Sequence, residues 1–163
     1  MRLKRAGTDK KFMAEALKEA RKAARKGEVP VGALIVRGGE VVSRGHNRRE
    51  VANDPTEHAE MAAIRRAARK LGSWRLSGAT IYVTLEPCPM CMGAILQARV
   101  SRLVFAAFDP KAGACGSLYD LSNDRRLNHR VEAVSGVMGS EAAAMLKEFF
   151  SQLRAARRRP PLG

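Results

Sequence analysis

Acid is in short supply along this chain: sixteen Asp and Glu face thirty Lys and Arg, a formal net charge of +14. A field of that sign favours polyanions, either nucleic acid or an acidic membrane surface, while the plainer reading is a solvated basic surface with no specific partner. Aromatic residues make up only 5%, so a broad platform for stacking bases is not indicated. Cysteine is nearly absent. Three residues, an odd number, are spaced unlike a disulfide framework. The N-terminal MRLKRAGTDKKF also lacks an apolar signal core, and the two observations together predict a cytoplasmic protein with reduced thiols. Long apolar runs are missing too. The most apolar stretch, VPVGALIV, falls far short of the roughly 20 residues that a membrane-spanning helix needs, so a soluble chain with no membrane association is expected. No repeat or long low-complexity tract occurs. The 163 residues, 45% apolar, predict a single domain over 1–163 with its core at 8–154, and a basic N-terminal extension and a C-terminal tail that are both flexible.

What is present alternates between helical and strand patterns. Thr8 is placed to cap a helix to about Lys26, with Phe12, Met13, Ala16, Leu17, Ala20 and Ala24 on one face and Gly27 as the stop. VGALIVR and EVVSRG flank Gly38-Gly39, the pattern of a two-residue hairpin. After the polar loop HNRREVAND, Asp54-Pro55-Thr56-Glu57 reads as a helix start, with Asp54 as N-cap, Pro55 in the first position and Glu57 as capping partner. That helix stops at Gly72, and Trp74 beyond it is expected to pack. ATIYVTL is a third strand, MGAILQAR a helix and RLVFAAF a fourth strand. DPKAGACGS leads to a short helix, VEAVSG is a fifth strand, and a last helix starts at Ser140. Strands alternating with helices imply a partly parallel sheet covered by helices.

The chemistry concentrates in EPCPMC, where Cys88 and Cys91 stand two residues apart. Two thiolates can supply half of a tetrahedral metal site. His46, His58, His129, Cys115 and the carboxylates are the available partners, and His58, at the start of a helix entered from a loop, is the best placed. Helix N-termini carry partial positive charge and favour thiolate over thiol. A set of two Cys and one His suits zinc. A closed structural site would need a fourth ligand, with Cys115 the main suspect. Structural zinc motifs bring ligands in two close pairs, however, and the second pair is missing, so an open catalytic site is favoured and Cys115 is read as a small packed residue. Glu60, two residues beyond His58, either complements the helix dipole or shuttles protons to and from a zinc-activated water. Glu57 already complements the dipole in this reading, which leaves the shuttle to Glu60.

His58-Ala59-Glu60 followed by Pro87-Cys88 and Cys91 resembles the signature of zinc-dependent nucleoside deaminases, the tRNA adenosine deaminases among them. VPVGALIV, GHN, NDPTEHAEM, YVTLEPCPMCMGAI, FAAFDPKAGACGSL, LNHRVE and the terminal EFF extend the likeness from about Phe12 to Phe150. In the cytidine deaminase-like superfamily the match is to the bacterial tRNA-specific adenosine deaminases. That resemblance implies a three-layer α/β/α sandwich around a five-stranded mixed sheet, a homodimer and one zinc per subunit. It implies deamination of adenosine to inosine at the wobble position of an arginine tRNA anticodon loop. Zinc hydroxide would attack adenine C6, with Glu60 as proton shuttle and His58, Cys88 and Cys91 as ligands. By the same resemblance Asn47 meets the purine edge, and the Ala59 backbone N–H lies where the exocyclic position is read. Val29, Pro30 and Leu85 would line the pocket, and Asp109 would meet the sugar of a neighbouring nucleotide. Phe149 and Arg154 would touch RNA from the last helix. His46 and His129 match positions without a catalytic role, and His129 is read as a hydrogen-bonded structural residue.

Two other functions fit some of these residues. A deaminase of a free base or nucleotide, such as guanine, cytosine or a cytidine derivative, would use the same zinc and glutamate. A zinc-stabilised RNA-binding module without catalysis would have no use for Glu60. The basic balance and the loop DPKAGACGS favour RNA over a small substrate. Arg48 and Arg49 fall near the expected entrance, and Arg65, Arg66, Arg69 and Lys70 read either as further RNA contacts or as a solvated helix face.

Overall fold

The computed structural model describes residues 2–160, with side chains from Lys4 onward. Five strands form one mixed sheet in the order β2-β1-β3-β4-β5, where β1 is Gly32–Arg37, β2 Glu40–His46, β3 Thr80–Leu85, β4 Arg102–Ala107 and β5 Glu132–Val134. The β1–β2 and β1–β3 pairs are antiparallel, and the β3–β4 and β4–β5 pairs are parallel. The hairpin turn is Gly38-Gly39 as read, with φ of 60° and 79°, the left-handed values that a tight two-residue turn demands at both positions.

Side chains alternate across a strand, and the core divides accordingly. Ala33 and Ile35 of β1, Ile81 and Val83 of β3, and Leu103 and Phe105 of β4 face α2 (Ala59–Leu71) and α3 (Pro89–Gln97). Leu34, Val36, Tyr82, Val104 and Ala106 face α1 (Arg2–Arg25) and α4 (Gly139–Arg158). The result is the three-layer sandwich. Each fully buried Leu, Ile or Phe in these layers contributes roughly 1.5–3 kcal/mol. Across the α1 face, Arg102 donates to both Asp9 oxygens at 2.7 and 2.8 Å, and the Tyr82 hydroxyl donates to Asp9 at 2.9 Å, tying α1 to β3 and β4.

Several sequence expectations are corrected. The first helix begins at Arg2, so the N-terminal extension is helical and Thr8 is no cap; its hydroxyl donates to the Lys4 carbonyl one turn back at 2.9 Å. Ala23 is fully buried where Ala24 was assigned to the packed face. Asp54-Pro55-Thr56-Glu57 is a turn preceding α2, because the Asp54 carboxylate takes both the Thr56 amide and hydroxyl at 2.8 Å, a local alternative to helix that Asp offers readily. Glu57 pairs with Arg65 and not with a helix end. No short helix follows Cys115; residues 116–131 run through turns with one isolated bridge from Cys115 to Asp120. Trp74 does not pack: it is 59% exposed, and the Arg75 guanidinium lies 4.7 Å from its ring centre. His129 is a hydrogen-bonded structural residue as expected, its Nε2–H donating to the Val100 carbonyl oxygen at 2.8 Å. Beyond 154 the expected flexible tail is helical as far as Arg158, and its last residues, 161–163, lie outside the described residues. No helix among those described is long and apolar enough to cross a membrane.

Candidate metal centre and active site

Two helices begin side by side, and their N-cap residues are His58 and Cys88. An N-cap side chain ordinarily accepts a hydrogen bond from the first turn, but neither of these does. Both are turned instead toward a common point. His58 Nδ1 lies 3.7 Å from Cys88 Sγ and 3.6 Å from Cys91 Sγ. Pro89 occupies the first turn of α3, where its missing N–H costs nothing. The three ligand atoms lie within 4.8 Å of one another, and no fourth His, Cys, Asp or Glu joins them among the described residues. Cys115 is buried elsewhere, and burial first of all pushes its thiol up to about 11. A soft, compact Cys2His set with one side left open fits a zinc ion of the catalytic kind.

The electrostatics of the cluster favour a thiolate at Cys88 and a thiol at Cys91. The Cys91 thiol hydrogen-bonds Cys88 and, with His58, pulls Cys88 down to about 4 against the effect of burial. Cys91 is pushed up in turn by its bond to Cys88 and by burial. The bond to Cys88 likewise raises His58 against burial. Glu60 is 4% exposed in the first turn of α2, and burial pushes its carboxyl up to about 7. Since Glu57 lies outside the helix, Glu60 is the acidic group of that turn, and the sequence argument that freed it from the dipole role fails. Its burial beside the cluster takes that argument's place.

A cavity of about 220 Å³ opens onto the cluster, lined among others by Val29, Asn47, Ala59, Glu60, Leu85 and Asp109. Asn47 is fixed from both ends: its Nδ2 donates to the Val29 carbonyl at 3.3 Å, and its Oδ1 accepts the Arg49 amide at 3.2 Å. Pro30 is buried without lining the cavity. Phe149 and Arg154 lie on α4 and do not reach it; the Phe149 and Phe150 rings meet edge-on, 5.4 Å apart. Sequence reasoning missed Val31, Glu86 and Ala112 as lining residues. Glu86 alone carried a signal, a charge between a buried strand and EPCPMC's cysteines, but its partners lie 23 to 31 residues away.

Close placement matters as much as residue choice. A Cβ on Gly45 in β2 would stand 2.4 Å from the Ala59 carbonyl oxygen and 2.8 Å from the Ala63 nitrogen. Only glycine lets the first turns of α2 lie so near the sheet. The Ser43 hydroxyl then donates to the Ala63 carbonyl at 2.7 Å and fixes the helix there.

Comparison with known proteins finds deaminases. Residues 8–154 match the MafB19-like deaminase family. The chain is 53% identical over 146 residues to the tRNA-specific adenosine deaminase of Bacillus subtilis, covering 90% of this chain and 91% of that one. A structure from studies of A-to-I editing by tRNA:A34 deaminases at the wobble position of transfer RNA superposes with a TM-score of 0.80 at 47% identity, covering 82% of this chain and 97% of that one. A guanine deaminase from Nitrosomonas europaea reaches 0.72 at 25% identity, covering 85% and 82%. The chain therefore belongs to the MafB19-like deaminases, in the company of the tRNA-specific adenosine deaminases.

Proposed function

We propose that this protein is a zinc-dependent hydrolytic deaminase that converts adenosine to inosine at the wobble position of a tRNA, with an arginine tRNA as its substrate. The observation that carries the reading is a buried carboxylate, Glu60, beside an open Cys2His cluster at the floor of a one-base cavity. His58, Cys88 and Cys91 would hold one zinc per subunit. When bound, zinc polarises water and brings its pKa toward about 7.

The remaining chemistry falls to side chains. Glu60, poised at about 7 by burial, takes one proton from the water that adds at adenine C6 and gives it to the ring nitrogen, then carries the second proton, from the hydroxyl now on C6, to the departing amino group. Ammonia leaves and inosine remains. A base works best near the ambient pH, where it both accepts and returns the proton. Asn47, held by Val29 and Arg49, meets the purine edge. The Ala59 N–H, in a first turn whose amides lack intrahelical partners, is offered to the exocyclic position. Val29 and Leu85 supply apolar walls. Asp109 uses one oxygen for the Lys111 and Ala112 amides, leaving the other for a sugar hydroxyl.

The cavity volume of about 220 Å³ lies below the about 300–1,000 Å³ of sites that enclose whole drug-sized ligands. It takes a single base and leaves ribose and phosphate outside, which suits a nucleotide flipped from a loop at a cost of a few kcal/mol. Arg49 stands at its lining, and Phe149 and Arg154 on α4 would meet RNA farther out. A cytoplasmic homodimer completes the reading. The guanine deaminase likeness supports the rival, a free-base enzyme, but at less than half the identity of the tRNA-acting relative.

The test is an inosine assay with zinc-loaded protein on an arginine tRNA anticodon stem-loop, beside free guanine and cytidine. Inosine formation on RNA should fall more than about tenfold between 50 and 200 mM salt, because phosphate contacts release counterions. Fast turnover of a free base with flat salt dependence would replace this reading with the rival.

A further inference from the structure

Glu86 is 2% exposed and is used by none of the steps above. Its backbone amide donates to the Ala107 carbonyl at 2.8 Å, where β3 and β4 end, and its side chain is enclosed by the loop that follows β4. Oε1 accepts the Asp109 amide at 3.1 Å and the Ser117 hydroxyl. Oε2 accepts the Cys115 amide at 3.0 Å and the Ser117 amide at 3.1 Å. A carboxylate has about four lone-pair sites, and here four donors fill them, so this group has no acceptor left for substrate. Gly113 seals the arrangement, since a Cβ there would lie 2.2 Å from Oε2. The loop is otherwise without regular structure, and it carries Asp109 and Ala112 into the cavity wall.

We propose that Glu86 is a positioning residue that holds loop 108–117 around its carboxylate, and so sets the wall that admits a base attached to its ribose and neighbouring nucleotides. It acts through Asp109 and Ala112 and touches no reacting atom. The inference deepens the RNA reading above and rests on it for substrate, but the loop's dependence on Glu86 does not.

Replacing the carboxylate by an amide of the same shape turns one acceptor into a donor facing amide donors, and buried groups left unpaired cost enough for about a tenfold to hundredfold loss. The experiment therefore measures zinc content, hydrogen exchange and steady-state kinetics on the stem-loop for full-length Glu86→Gln, Ser117→Ala and Gly113→Ala. Glu86→Gln should keep wild-type zinc, speed exchange at the Asp109, Cys115 and Ser117 amides by more than about tenfold, and raise KM about 30-fold with kcat within about threefold. Gly113→Ala, which crowds the carboxylate from the loop side, should give the same KM-selective defect. Ser117→Ala, which removes a single donor, should show it at about fivefold, and it decides the matter should Glu86→Gln not fold. Unchanged loop exchange, loss of zinc, or a defect confined to kcat would overturn the assignment. If the wild-type protein leaves RNA untouched, the functional reading fails while the exchange data still decide whether Glu86 holds the loop.

Discussion

On one side of the cavity, His58, Glu60 and Cys88 project from the first turns of α2 and α3, helices anchored in the core by Ala62, Ala63, Ala67, Met92, Ile95 and Leu96. On the other side, Asp109 and Ala112 ride on a loop ordered by hydrogen bonds to one buried carboxylate. The first wall inherits its rigidity from apolar packing. The second combines the polar contacts of that carboxylate with the Ala114 amide bond to the Pro87 carbonyl and the burial of Ala114 and Cys115 in the core, while Asp109 and Ala112 themselves lie outside that core. In the proposed reading, the groups for metal binding and proton transfer, which need fixed geometry, sit on the helices, whereas the loop adds Asp109 and Ala112 to the part of the wall that fits substrate. Sites held on packed elements are generally the more exact.

Substitutions should separate the two walls. Cys88→Ala is expected to have the largest effect: without one of three ligands, zinc is lost and activity disappears, as metal analysis with an inosine assay will record. Gly45→Ala attacks the same wall through its packing. With a Cβ 2.4 Å from the Ala59 carbonyl oxygen, α2 must shift, lowering stability by about 1–3 kcal/mol in denaturant melts and weakening zinc affinity.

Asp9→Asn works on the opposite face of the sheet and should reduce stability by about 1–3 kcal/mol while leaving zinc in place. Burial pushes Asp9 up, but Arg102 and Tyr82 outweigh it and hold it below 3.8. A carboxyl depressed by folding stabilises the protein above its unfolded pKa, and that contribution vanishes as pH falls through the folded value. Thermal melts should therefore drop more steeply below about pH 4 for the wild type than for the variant. Trp74→Ala, removing an exposed ring, should change stability by no more than about 0.5 kcal/mol in the same melts.

Much of this was readable in the residue order, and the contrast between the walls explains which parts. The five strands, the Gly38-Gly39 turn and the stop at Gly72 follow from short-range patterns. His58, Cys88 and Cys91 are identified by ligand chemistry and a familiar signature. The start of α2 was misplaced by four residues because Asp54 prefers to bind the Thr56 amide and hydroxyl. That local competition leaves a capping pattern intact in sequence while removing it from the helix. The first helix was shortened because Thr8 resembles a cap, yet its hydroxyl is satisfied inside the helix by Lys4. Glu86 was overlooked because its partners at Asp109, Cys115 and Ser117 are distant in the chain, and no periodicity registers a carboxylate that organises a loop. Pro30, Phe149 and Arg154 came from resemblance alone, and the cavity as formed includes none of them.

The claim on which the rest depends is that Glu60 moves protons beside a three-ligand zinc. Full-length Glu60→Gln, measured for zinc content and for inosine formation on the anticodon stem-loop, tests it most directly. The account predicts wild-type zinc and fold with inosine formation reduced by about 10²–10⁴-fold, the usual loss when a positioned acid–base group is removed. Turnover at the wild-type rate with zinc still bound would contradict it.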